Sequence, residues 1–193
     1  MAAMSIGDLT AALDANPPHG PAYSLTLLAH VACAVIGFGT VVASALQAAR
    51  LRSVRSGELP SGSLVRYYLP GVNWAGRVIY AVPVLGLALI AQSDRAFSLT
   101  DGWIMAGLAL WLVAVVVGEA VLWPAERRIQ RLLVGSVEPT PGAGPTVLRV
   151  TDPAGLAAAV DQARDHCRSV TVAGAVMLAT FVAATVLMLG QPS

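Results

Sequence analysis

The chain has 193 residues, 56% of them hydrophobic and only 12% charged, with a formal net charge of +1. Globular proteins carry about 25% charged residues, so a water-soluble fold would leave large apolar surface exposed. A charge this near zero also excludes a nucleic-acid binder, which needs a concentrated basic face.

The first 22 residues hold Asp8 and Asp14 but no arginine or lysine, which argues against a cleavable signal peptide and predicts an extracytoplasmic tail over 1–22. His19 falls in the turn sequence Asn16-Pro17-Pro18-His19-Gly20, and one histidine is not a metal site. Four stretches then approach or exceed the roughly 20 apolar residues that cross a bilayer. Tyr23–Gln47 carries Thr26, His30, Thr40 and Ser44. Asn73–Ala91 is the weakest, strictly apolar only from Val78, and it contains Arg77 and Pro83. Gly102–Trp123 holds one charge, Glu119, and Ser169–Gly190 holds none. Backbone groups find no partners in lipid, so these runs are helices. Pro83 should bend its helix and free a carbonyl for another donor.

Beyond the third span, Ile129, Leu132 and Leu133 keep helical spacing among Arg127, Arg128 and Arg131, so that helix should continue past a kink at Pro124. The segment 135–152 reads as a linker, irregular over Gly135–Pro145 because of its Pro and Gly content. Thr151 and Asp152 before Pro153 form an N-cap signature, which predicts one long helix over 153–190 that includes span 4. Its cytoplasmic part carries an apolar stripe of Leu156, Val160, Ala163 and Cys167.

All twelve basic residues are arginines, and eleven fall on one side of the four spans; Arg95 is the exception. Cytoplasmic loops collect positive charge, so both termini should be extracytoplasmic. The sequence thus predicts an all-α, polytopic four-helix bundle in a bacterial cytoplasmic membrane. Residues 23–134 supply three spans and their loops, and the third and fourth helices extend into the cytoplasm. Trp74 and Trp123 would mark the inner interface, Tyr23 and Trp103 the outer one, with Trp111 packed inside the bundle. Cys33 and Cys167 fall near opposite faces, too far apart for a disulfide.

Two constellations could carry chemistry. Arg77 and Glu119 each lie about four residues inside the arginine-rich boundary, so antiparallel second and third helices match their depths at about 6 Å. Pairing relieves the cost of a lone intramembrane charge, and the pair is either an interhelical salt bridge or a proton- or cation-binding carboxylate tuned by Arg77. His30 lies about 10 Å below the opposite surface, with Cys33 one turn away on the same face. An interhelical hydrogen bond, a soft-metal site and a haem ligand compete for His30. A haem would need Met105 or Met188 as the second ligand, brought round by helix tilt. Ala175, Ala179 and Ala183, and likewise Ala29, Cys33 and Gly37, repeat every four residues and predict close seams within the bundle, a stripe left over serving as an assembly face. No phosphate loop, catalytic triad or zinc spacing appears.

The first span, Leu28-Ala29-His30-Val31-Ala32-Cys33-Ala34-Val35-Ile36-Gly37, resembles that of small bacterial predicted integral membrane proteins classed as a domain of unknown function, with an "LHVLAAVIG"-type first helix. Asp101-Gly102-Trp103-Ile104 and Gly118-Glu119-Ala120-Val121-Leu122-Trp123-Pro124 resemble the same family, and the likeness covers about Tyr23 to Leu133. Copper-resistance D-type membrane proteins have a similar His-containing first span, but the further histidines and methionines of a copper path are missing here. The resemblance implies fold and location and no activity.

The sequence therefore points to a non-enzymatic structural or accessory membrane protein without a cofactor. Its surroundings are the lipid bilayer and a membrane-protein partner or a second copy, met by a basic helical hairpin carrying Arg127, Arg128 and Arg131. A small proton, metal-ion or solute transporter component using Glu119 and His30 is the alternative, and a b-type haem electron carrier the third.

Overall fold

The computed structural model describes residues 20–69, 74–93, 96–139 and 148–190. Of the expected tail over 1–22, residues 1–19, His19 among them, lie outside the described residues, as does Arg95, and the first helix already begins at Pro21. Its helices are α1 (Pro21–Ser53), α2 (Gly62–Tyr67), α3 (Trp74–Arg77), α4 (Ala81–Ala91), α5 (Gly102–Val117), α6 (Trp123–Val134) and α7 (Pro153–Leu189). Four continuous helical stretches, Pro21–Ser53, Trp74–Ala91, Gly102–Val134 and Pro153–Leu189, are long and apolar enough to cross a membrane. The protein is an all-α polytopic membrane protein.

At 33 residues α1 is about 50 Å long, more than the roughly 30 Å hydrocarbon core, so it projects from the lipid. It starts on Pro21, whose missing N–H costs nothing in a first turn, and Arg50 and Arg52 in its last turn favour the negative end of the helix dipole. The carbonyls left open there are capped by another helix. Arg164 of α7 donates to the Arg52 and Val54 oxygens at 3.0 and 2.7 Å, while its Nε holds Asp161 at 2.9 Å. Arg164→Ala should therefore lower the thermal midpoint in detergent, at a cost of about 1–2 kcal/mol for these partly exposed charge-assisted bonds. An unchanged midpoint would show that the cap contributes nothing.

The second span joins α3 to α4 through one 3-10 turn, Val78–Tyr80. Pro83 offers no N–H to the Ile79 carbonyl, and the indole of Trp111 on α5 donates to that oxygen at 3.1 Å. The freed carbonyl thus becomes a tie between the second and third spans.

Proline acts differently in the third span. Pro124 cannot serve the Ala120 carbonyl, and the ladder passes it by a π turn, Gly118–Leu122, so that the helix continues into α6. The wider turn lays the Trp123 ring on Gly118, where a Cβ would overlap it.

α7 begins where Asp152 accepts from the Gly155 N–H at 2.9 Å, and it packs along α1, α5 and α6. Its seam with α1 runs through Val170, Ala173, Gly174 and Met177, all buried. Gly174 sits against Ala45, and Gly37 of α1 against the backbone of Ile79. Ala175, Ala179 and Ala183 are exposed, contrary to the expectation of a bundle seam. They lie one position round the helix from the residues that pack, on the face turned outward.

The arginine-rich end is the well-packed one. Leu51, Ile129, Leu133, Leu156, Val160, Ala163 and Cys167 are enclosed there, with Leu64, Val65 and Tyr68 from the α2 region over them. The stripe Leu156–Cys167 is thereby packed inside the chain. At the two ends of the linker the described residues form a short antiparallel pair, β1 (Val137–Pro139) and β2 (Leu148–Val150), in the register Val137↔Val150 and Glu138↔Arg149, while 140–147 lie outside the described residues. Toward the opposite end the core thins. Among the described residues none is buried on α1 before Gly37 or on α7 after Met177.

Candidate functional site

Polar groups gather at two levels of this bundle, and a cavity occupies a third. At the π turn, Arg77 reaches Glu119 at 2.6 Å, and the Tyr80 hydroxyl donates to the same carboxylate oxygen. The guanidinium also lies over the Trp123 ring, 4.4 Å from its centroid. The two charges matched in depth by sequence are thus joined, though by four side chains and not two. The Glu119 side chain is 46% exposed, so the assembly lies at the bundle surface and ties the second span to the third. Trp123, expected to float at the interface, is buried beneath Arg77.

Two helical turns beyond Glu119 on the third helix, and three residues beyond Trp123, stands a carboxylate that is not among the sequence candidates. Glu126 is 5% exposed. It accepts from the Ser44 hydroxyl of α1 at 2.9 Å, and Ser44 in turn meets the Tyr67 hydroxyl of α2 at 2.5 Å. Among the described residues no cation lies within ion-pair distance of it; Arg77 and Arg127 act on it only from further away. A signal for it did exist: Leu122, Glu126, Ile129 and Leu133 are spaced four, three and four apart, which puts Glu126 on the apolar face of α6.

The third feature is a cavity of about 440 Å³ in the half away from the arginines, between the first, second, third and fourth spans. Its walls are almost wholly apolar and include Leu27, Phe38, Pro83, Leu87, Trp103 and Phe181. It is open toward lipid, since Leu27, Leu87, Leu108 and Met188 on its walls are exposed. His30 and Tyr23 are the titratable rings among the described residues that line it. The His30 ring rests against Gly86, and among the described residues its Nδ1 is enclosed without a well-formed hydrogen bond. Met188 lines the same cavity, with its methyl against Gly107, whereas Met105 does not.

Cys33 is half-buried and forms no part of the cavity wall, so the structure does not bring it to a common site with His30. Among the described residues no three His, Cys, Asp or Glu side chains group closely enough to hold a metal ion. Arg127, Arg128 and Arg131 are all exposed on α6. His30 and Glu119 are kept apart by a layer in which Phe38 stacks on Phe181 at 4.2 Å and Ile79, Ala114 and Met177 are fully enclosed.

A family model described as "Predicted integral membrane protein (DUF2269)" matches residues 24–158, well over half of the chain. The match takes in the first three spans, the polar groups around Arg77 and Glu126, and the start of α7. No curated protein and no solved structure matches the chain. With four membrane-length helices and this match, the chain belongs to the DUF2269 family of predicted integral membrane proteins.

Proposed function

We propose that this protein is a non-enzymatic membrane protein that takes up an apolar ligand from the bilayer and holds it between its helices. Its arginine-rich end is turned to the cytoplasm of a bacterial cell. The observation that carries this reading is the cavity of about 440 Å³, which falls within the range of ligand pockets at roughly 300–1,000 Å³. Its walls suit an acyl or isoprenoid chain, and His30 supplies one polar contact for a head group. The positive-inside rule supports the orientation.

The accessory role inferred from the sequence now rests on a smaller surface. With the Leu156–Cys167 stripe enclosed, Arg127, Arg128 and Arg131 are left to meet a partner or anionic headgroups, the latter worth about 1 kcal/mol per arginine. A transport path linking His30 to Glu119 has no polar route through the apolar layer between them. Haem is the second reading, favoured by one observation: Met188 faces the cavity that His30 lines.

The experiment is to purify the protein in mild detergent, record its visible spectrum, extract it with organic solvent and identify what is released. An apolar chain compound in near-stoichiometric amount is the expected result. A Soret band would replace this reading with the haem one, and extraction of detergent alone would overturn both.

A further inference from the structure

The arginine-rich end contains a second polar site, independent of the cavity. Glu126, Ser44 and Tyr67 form a chain of hydroxyls ending on a carboxylate, assembled from α6, α1 and α2. Beside it the Tyr68 hydroxyl is enclosed, on a residue 1% exposed, without a hydrogen-bond partner among the described residues. The groups facing Glu126 are Tyr67 and Tyr68 from α2 and its C-terminal turn, Arg77 from α3 and Arg127 on its own helix. Cys167 of α7 lies beside Tyr68. α1 contributes Ser44, which does not titrate. Burial pushes both tyrosine hydroxyls above their ordinary range, so they remain neutral donors.

This is an unusual setting for a charge. Glu119, seven residues away, has an arginine at 2.6 Å and a partly exposed side chain. Glu126 has one hydroxyl donor and almost no water. A buried carboxylate without a cation is costly, and taking a proton removes that cost. The hydroxyl chain also supplies a direction of approach, because Ser44 leads to Tyr67, a half-buried residue on α2 at the arginine-rich end. We propose that Glu126 is a proton-binding site, loaded from the arginine-rich face through Tyr67 and Ser44. Loss of the proton would leave an unpaired charge where α1, α2 and α6 meet, so occupancy of the site is tied to how these three elements pack.

The test uses dicyclohexylcarbodiimide on the full-length protein in membranes. Protonated carboxyls shielded from water give their proton to a carbodiimide nitrogen while a carboxyl oxygen attacks the central carbon. The O-acylisourea formed then rearranges to a stable N-acylurea, which peptide mass spectrometry locates. The adduct is expected on Glu126 and not on Glu119, with a yield that falls as pH rises, and none should form at this position in Glu126→Gln. Ser44→Ala removes the donor that favours the ionised form. It should move the midpoint of labelling to higher pH by about one unit, a shift that a merely structural role would not produce. This second variant keeps the assignment testable even if Glu126→Gln fails to accumulate. Modification of Glu119 with Glu126 untouched, or a yield independent of pH, would overturn the proposal. So would protection by sodium, which would make the site one for a cation.

Discussion

Gly174→Leu should reduce the stability of the bundle by about 3 kcal/mol, the upper end for overpacking a close-packed seam. A Cβ at Gly174 would stand 2.7 Å from the Ala45 Cβ, so even the first carbon of a side chain forces α7 away from α1. In lipid there is little water exclusion to offset the lost contacts, because helix association depends on close packing itself. Ala175→Leu, one position along, adds the same volume on a face that is exposed and should be nearly neutral. Thermal midpoints of the two variants in one detergent separate the true seam from its neighbour. Equal losses would mean that Ala175 also packs.

The second large effect is expected at Leu156, which is fully enclosed at the arginine-rich end. Leu156→Ala should cost about 2–5 kcal/mol, the range for emptying a buried leucine site. The loss should appear as faster proteolysis of the Val137–Arg164 region, since Leu156 packs within the core that holds this end together. Were Leu156 instead a contact for an absent partner, the isolated protein would be indifferent to its removal. An unchanged proteolysis rate would restore the hairpin as a docking arm.

These effects bear on what could be read from the residues alone. The spans were legible because lipid demands about 20 apolar residues and satisfied backbone groups, and few sequences meet that by accident. The depth match of Arg77 and Glu119 was legible too, since isolated charges in apolar runs are few enough to align by counting. Pro83 announced a free carbonyl but not its donor, Trp111, because that depends on how far the third span lies from the second. Glu126 was hidden for a different reason. Set against Arg127 and Arg128 it reads as one charge among several on a solvated helix, and only the spacing of Leu122, Ile129 and Leu133 places it inward. Arg164 was hidden likewise among loop arginines, although it caps α1. The alanine stripe misled because alanine is apolar enough to face lipid as well as to pack, so the repeat alone does not say which side meets a neighbour. The cavity had no sequence signal of its own. A void depends on helices splaying apart, and His30 gave only the depth at which to look.

The ligand-binding reading implies that the thin core of this half leaves space which an apolar molecule occupies. Gly107 faces that space next to Met188, so Gly107→Phe would put a ring into it without touching the packed end. The most direct measurement is the amount of apolar compound retained per chain by wild type and Gly107→Phe, purified side by side. The wild type should retain about one molecule and the variant at least about tenfold less, equivalent to ~1.4 kcal/mol of lost affinity, at similar thermal midpoints. Equal retention by both proteins would contradict the account.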